Sequence, residues 1–115
     1  MDIKVIVNGT EFIAELFDNR TSEEFRKLLP LRFEMEELNG NEKCRYLSKK
    51  LPADSENVES IEAGDIMLFG SSCLVLFYKS FNTTYSYTRI GKIRDAEGLE
   101  KAAGKWDAEI AFMEI

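Results

Sequence analysis

The chain has 115 residues, of which 44% are hydrophobic and 31% charged, and its net charge is −6. This composition is typical of a folded protein rather than a disordered one, and the length predicts a single domain over residues 1–115. The negative charge argues against nucleic acid and anionic membranes as partners, because both require a positive protein surface. No apolar run approaches the ~20 residues of a membrane span, and the opening Met-Asp-Ile-Lys-Val lacks the form of a signal peptide, so we expect a cytoplasmic location.

The first third of the chain predicts a hairpin followed by a helix. Alternating apolar residues over 2–7 and 10–17 flank Asn8-Gly9, the residue pair that type I′ hairpin turns favour. Thr21 and Glu24 form a capping-box pattern, so we expect Thr21 to cap the helix. Its apolar stripe would be Phe25, Leu28 and Leu29, with Pro30 ending the helix.

The middle of the chain predicts strands separated by turns. Alternation over residues 31–36 indicates a half-buried strand, and the turn residues Asn39-Gly40-Asn41 follow it. Residues 42–65 are polar and are predicted to carry short strands or an ordered loop, because long structureless connections are uncommon. The isolated apolar anchors in this segment are Leu47, Leu51, Val58 and Ile61. Further strands are predicted over residues 66–69, 73–78 and 85–90.

The last quarter of the chain predicts a short helix and a final strand. Asp95 is expected to cap a helix over residues 96–103, with Gly104 closing it. Alternating apolar residues over 106–112 predict the strand, with Trp106 in the core. A total of about seven or eight strands and two short helices predicts a mainly β protein, and closure into a barrel would remove the exposed strand edges. The helices would cover the ends of the barrel.

Several segments resemble the cyclophilin-like domain family. The opening V-I-V-N-G-T-E-F-I-A-E-L-F, the middle E-A-G-D-I-M-L-F-G-S-S-C-L-V-L-F and the closing R-I-G-K-I-R-D-A-E-G-L-E-K-A-A are similar to cyclophilin segments in the same order. The segments L-N-G-N-E-K and S-Y-T-R-I-G look closer still to small prokaryotic cyclophilin-like proteins of unknown function. The resemblance implies a closed cyclophilin-like β-barrel with two short capping helices.

The part of the family pattern that carries prolyl isomerase activity is absent. Active cyclophilins read close to F-H-R-I-I-P-x-F-M-x-Q-G-G-D where this chain reads L-R-F-E-M-E-E-L-N-G-N. Arg32 lies in that region, but its alternation places it opposite the buried residues. Leu74 and Val75 replace aromatic residues of the family, and Tyr87 replaces a pocket histidine. Ordinary isomerase activity is therefore not expected, and no catalytic residue is predicted.

The candidate ligand-binding residues are Phe81, Tyr85, Tyr87 and Arg89. Tyr85, Tyr87 and Arg89 are two residues apart, so on a strand they share a face that offers rings, hydroxyls and a guanidinium to a peptide or small ligand. The structural alternative is a cross-strand aromatic cluster, with Arg89 stacked on a tyrosine or paired with a glutamate. The alternative function is a weak peptidyl-prolyl isomerase that uses Arg89 as its polarising cation.

The remaining candidate residues have simpler interpretations. Glu34 and Glu36 could hold a cation or act as acid and base, but a solvated strand face explains them, and no metal or cofactor is predicted. Cys73 is interpreted as a small buried residue. Cys44 lies between Lys43 and Arg45, which would lower a thiol pKa, yet the chain has no histidine to serve as base. We therefore interpret Cys44 as an ordinary loop cysteine.

Overall fold

The computed structural model describes all 115 residues and contains eleven strands and two helices. The strands are β1 (Asp2–Val7), β2 (Thr10–Leu16), β3 (Leu31–Leu38), β4 (Glu42–Tyr46), β5 (Glu56–Asn57), β6 (Ser60–Ile61), β7 (Asp65–Phe69), β8 (Cys73–Phe77), β9 (Phe81–Asn82), β10 (Ser86–Ile93) and β11 (Ala108–Glu114). The helices are α1 (Arg20–Arg26) and α2 (Leu99–Ala103), and neither is long and apolar enough to cross a membrane.

Eight antiparallel strands form a closed barrel. Their order is β2-β1-β11-β3-β4-β8-β7-β10, and β10 returns to pair with β2. Strand β5 adds to the outside of the ring beside β10, while β6 and β9 form a separate two-stranded ribbon. The mainly β, closed-barrel prediction is therefore confirmed, including the short strands expected within residues 42–65.

Gly91 makes the closure of the barrel possible. It pairs with Leu16 across the seam between β10 and β2, next to a bulge that separates it from Arg89. A Cβ atom at Gly91 would lie 2.3 Å from the carbonyl oxygen of Glu15. Only a residue without a side chain allows the two backbones to approach this closely.

The barrel has an inner core and a second, outer core. Phe25 of α1 is fully buried against Phe112 of β11 in the inner core, with ring centroids 5.5 Å apart. Seven buried residues form the second core on the outer face of β7, β8 and β10: Val58, Ile61, Met67, Cys73, Val75, Phe77 and Tyr87. Strands β7 and β8 are thus covered on both faces, which explains their unbroken apolar runs.

Helix α1 begins earlier than the sequence pattern predicts. Asn19, not Thr21, is the N-cap, and its Oδ1 accepts a hydrogen bond of 2.8 Å from the amide of Ser22. Thr21 lies inside the first turn and donates its hydroxyl to the carbonyl of Pro52 instead. The helix also ends at Arg26, ahead of Pro30, because the amides of Leu28 and Leu29 bond three residues back rather than four.

The elements after residue 94 also differ from the sequence prediction. Helix α2 begins after Gly98, whose φ of 83° is incompatible with a helix, so Asp95 does not cap it and accepts from the amide of Glu97. Gly104 closes α2 as predicted. Trp106 was predicted to be core, but its side chain is 81% exposed, because β11 begins only at Ala108.

Candidate functional site

A groove with aromatic walls lies on the outer face of the barrel. It has a volume of about 400 Å³. We call it the aromatic groove and define it by its nine lining residues: Asn39, Asn41, Glu42, Phe81, Asn82, Thr83, Thr84, Tyr85 and Tyr87. The structure therefore brings three of the four predicted ligand-binding residues, Phe81, Tyr85 and Tyr87, into one groove.

The two tyrosines of the groove differ in their packing. Tyr87 is buried, and its ring meets that of Phe77 edge-on at 5.5 Å between centroids. Phe77 and Tyr87 belong to the outer core, and the partly buried Phe81 packs on Phe77 at 5.7 Å. Tyr85 is 63% exposed, and its ring centroid lies 6.2 Å from that of Phe69. Tyr85 is therefore the ring most free to contact a ligand.

Arg89 lies apart from the aromatic groove. Its Nε donates to Glu56 Oε1 at 2.9 Å, in a different depression that both residues line. The aromatic cluster and the arginine–glutamate pair are the two contacts that the structural alternative predicts, and both are present. Tyr85 lies just ahead of β10, and its ring and that of Tyr87 both pack on Phe69.

Glu42 is a residue of the groove that the sequence pattern did not single out. It is 7% exposed, and no hydrogen bond or ion pair reaches its carboxylate. Burial, together with repulsion from Glu37, raises the pKa of Glu42 to about 7. Its position on β4 opposite Phe77 of β8 determines this burial, and that pairing is not readable from local sequence.

Asn41 is the second polar residue that the sequence analysis treated only as a turn former. The backbone of Asn41 is occupied, because its carbonyl accepts from the amide of Tyr78 at 3.0 Å. The Oδ1 atom of its side chain is buried and has no hydrogen-bond partner. An unpartnered buried acceptor is uncommon and calls for an explanation. Asn41 and Glu42 thus place two unpaired acceptors along the same groove.

A buried ionic network closes one end of the barrel. The fully buried ammonium of Lys43 lies 3.0 Å from Glu37 Oε1 and also donates to the carbonyls of Gly104 and Trp106. Tyr78 donates its hydroxyl to the same Glu37 oxygen at 2.6 Å. Burial acts to raise the pKa of Glu37, but the hydrogen bonds from Tyr78 and Lys43 outweigh it and lower that pKa. These bonds hold the chain after α2 against β4, which is a structural role.

The other candidate residues do not assemble a reactive site. Glu34 and Glu36 are exposed on β3, and no group of three histidine, cysteine or acidic side chains is placed to hold a metal ion. Cys44 lies in β4 rather than in a loop, because it pairs with Glu36 and Val75. Burial and nearby carboxylates raise the pKa of its thiol, since Lys43 is directed to the opposite face. The prediction that Cys73 is buried is confirmed.

The fold and the groove define a small closed β-barrel domain with a surface cleft on its outer face. A family model described as the cyclophilin-like family matches residues 5–111, and the chain belongs to that family. The resemblance noted in the sequence is thereby confirmed. No curated protein and no solved structure matches the chain.

Proposed function

We propose that this protein is a binding module that takes a peptide or a small molecule in the aromatic groove. The observation that carries the proposal is the exposed ring of Tyr85, which lies beside the partly buried ring of Phe81 and the buried ring of Tyr87. A volume of about 400 Å³ lies within the range of small-ligand sites. Aromatic walls with a few polar groups are typical of such sites, because the rings supply contact area and the polar groups fix orientation.

The proposal centres on three of the four predicted residues. Arg89 lines the neighbouring depression, where it is paired with Glu56, and it remains a candidate only for a ligand that extends beyond the groove. The position of Arg32 favours a binding role over prolyl isomerisation. Its side chain is 62% exposed and paired with Glu109 at 3.2 Å, and it does not line the aromatic groove.

Chemical-shift mapping tests the proposed function. The ¹⁵N-labelled protein is titrated with short proline-containing peptides and with a set of neutral and charged small metabolites. We expect saturable shifts that cluster at Tyr85, Tyr87 and their neighbours for at least one ligand, and a weaker affinity in Tyr85→Ala. If no compound in the set shifts the groove residues, the binding function is wrong.

A further inference from the structure

The aromatic groove contains a largely buried acidic side chain, Glu42, for which the protein supplies no counter-ion. None of the nine lining residues is a lysine or an arginine, and Glu42 is the only charged residue among them. The adjacent Lys43 is directed into the end of the barrel, where its ammonium is occupied by Glu37 and two carbonyls. A carboxylate that is buried without a counter-ion or hydrogen bonds destabilises the folded state. A ligand that supplied the missing cation would remove this cost.

The unpaired polar groups of the groove floor specify the kind of cation. Glu42 offers carboxylate oxygens and Asn41 offers its buried Oδ1, and both lack a donor. Acceptors of this kind require N–H or O–H donors. A cation that carries several N–H groups could satisfy both side chains, whereas a quaternary ammonium could satisfy neither through hydrogen bonds.

The aromatic walls favour the same kind of ligand. Phe81, Tyr85 and Tyr87 border the groove that holds Glu42, and ring faces attract organic cations through their quadrupoles. This attraction grows as the cation loses contact with water, and Glu42, the acidic residue of the groove, is only 7% exposed. The aliphatic part of an alkyl cation would also gain apolar contact with the rings.

We propose that the aromatic groove binds an alkylammonium or alkylguanidinium group, with Glu42 as its counter-ion and Asn41 as a second acceptor. This inference rests on the proposed function, since it names the ligand class for the same groove. Such a group could belong to a lysine or arginine side chain of a peptide or to a free polyamine. The two sources share the chemistry and are separated by the probes below.

The test uses the full chain and four probes followed by chemical-shift titration. Nα-acetyl-lysine-methylamide and Nα-acetyl-arginine-methylamide represent the peptide source, and spermidine represents the free amine. Nα-acetyl-norleucine-methylamide is the neutral control of similar shape. We expect saturable shifts in the groove with a cationic probe, and at least tenfold weaker binding of the norleucine derivative.

Two variants that each remove one negative charge test whether Glu42 is the counter-ion. Glu42→Gln removes the buried carboxylate, and Glu34→Gln removes one negative charge from the exposed face of β3. We expect at least tenfold weaker cation binding in Glu42→Gln and unchanged binding in Glu34→Gln. Because the amide replaces a destabilising buried charge, Glu42→Gln should fold, and its amide spectrum provides the check.

The outcomes separate this inference from the proposed function. If neutral ligands shift the groove but no cationic probe does so, the cation specificity is wrong and the binding function stands. Equal affinity of a cation for the wild type and Glu42→Gln would likewise overturn the inference. A groove that responds to no probe or metabolite at all would remove the binding function and the inference together.

Discussion

Glu42 and Lys43 are neighbours on β4, yet their side chains lie on opposite faces of the sheet. Lys43 reaches Glu37 at 3.0 Å inside the end of the barrel, whereas Glu42 borders the aromatic groove outside it. The alternation of a strand enforces this separation, since successive side chains point to opposite faces. The buried cation therefore cannot compensate the buried carboxylate beside it, and each can be altered independently.

Glu42→Gln is expected to stabilise the protein in a pH-dependent manner. Burial raises the pKa of Glu42 from 4.5 to about 7, so this carboxyl is protonated in both states below pH 4.5 and has no effect there. As the pH rises from 4.5 to about 7, the unfolded chain ionises first and Glu42 lowers the stability of the fold. The stability gap between variant and wild type should grow over this window to roughly 3 kcal/mol, since each unit of pKa corresponds to about 1.4 kcal/mol.

Urea denaturation at several pH values measures this gap. Glu34→Gln is the control, because Glu34 is exposed and its replacement should leave a small difference at every pH. A constant gap between Glu42→Gln and wild type from pH 4 to pH 8 would contradict the assignment of a raised pKa to Glu42.

Lys43→Ala is expected to destabilise the protein by about 3 kcal/mol or more, because it leaves buried partners unpaired. The ammonium donates hydrogen bonds to the Glu37 carboxylate and to two backbone carbonyls of the segment between α2 and β11. Lys79→Ala is the matched control, since Lys79 forms only an exposed pair with Glu100 at 3.6 Å. Chemical denaturation should show a clear loss for Lys43→Ala and a change of less than about 1 kcal/mol for the control.

The sequence predicts those features of the fold that depend on neighbouring residues, such as hairpin turns. Asn8 and Gly9 have φ angles of 47° and 89°, as the hairpin turn predicted from their identities requires. The exposure of Trp106 is not readable from local sequence, because it depends on where β11 begins and on a backbone carbonyl that Lys43 binds from 63 residues away. The burial of Glu42 is non-local in the same way, since only the pairing of β4 with β8 places it beside the aromatic rings.

Gly91→Ala should disrupt closure of the barrel. The added Cβ would lie 2.3 Å from a backbone oxygen, which cannot move without opening the β2–β10 seam. We expect a loss of about 3 kcal/mol in the free energy of unfolding. Gly9→Ala serves as the comparison, because Gly9 has φ +89° with open space around its Cβ position. Its cost should be only the left-handed backbone penalty, about 1 kcal/mol.

Substitutions at Tyr85 and Tyr87 are expected to have different effects on ligand binding and on stability. Tyr85→Ala is expected to weaken binding in the aromatic groove and to change stability by less than about 1 kcal/mol, because the ring is exposed. Tyr87→Ala should cost about 3 kcal/mol, since it removes a buried ring packed on Phe77. Arg89→Gln should leave groove binding unchanged. Thermal unfolding and ligand titration on the same samples distinguish the three variants. Equal losses of binding in Tyr85→Ala and Arg89→Gln would show that the ligand does not bind in the aromatic groove alone.

A coupled cis–trans assay with proline peptides should show no acceleration by this protein. The isomerase alternative requires Arg89 to polarise a prolyl amide, but its guanidinium is paired with Glu56 at 2.9 Å. Glu56→Gln frees that guanidinium and provides the stricter test. A rate that rose with wild-type protein, and fell again in Arg89→Gln, would establish the isomerase and displace the binding-only role.

The residues that border the aromatic groove come in part from two short connections, the turn at Asn39 to Asn41 and the Thr83–Tyr85 stretch before β10. Both lie outside the hydrogen-bonded ring of eight strands. These two connections can therefore be varied without changing the strands of the ring, whereas Glu42 and Tyr87 belong to the ring itself. A combinatorial library that varies Thr83, Thr84 and Tyr85 would leave the ring intact, so the domain could be re-targeted to new ligands by directed evolution.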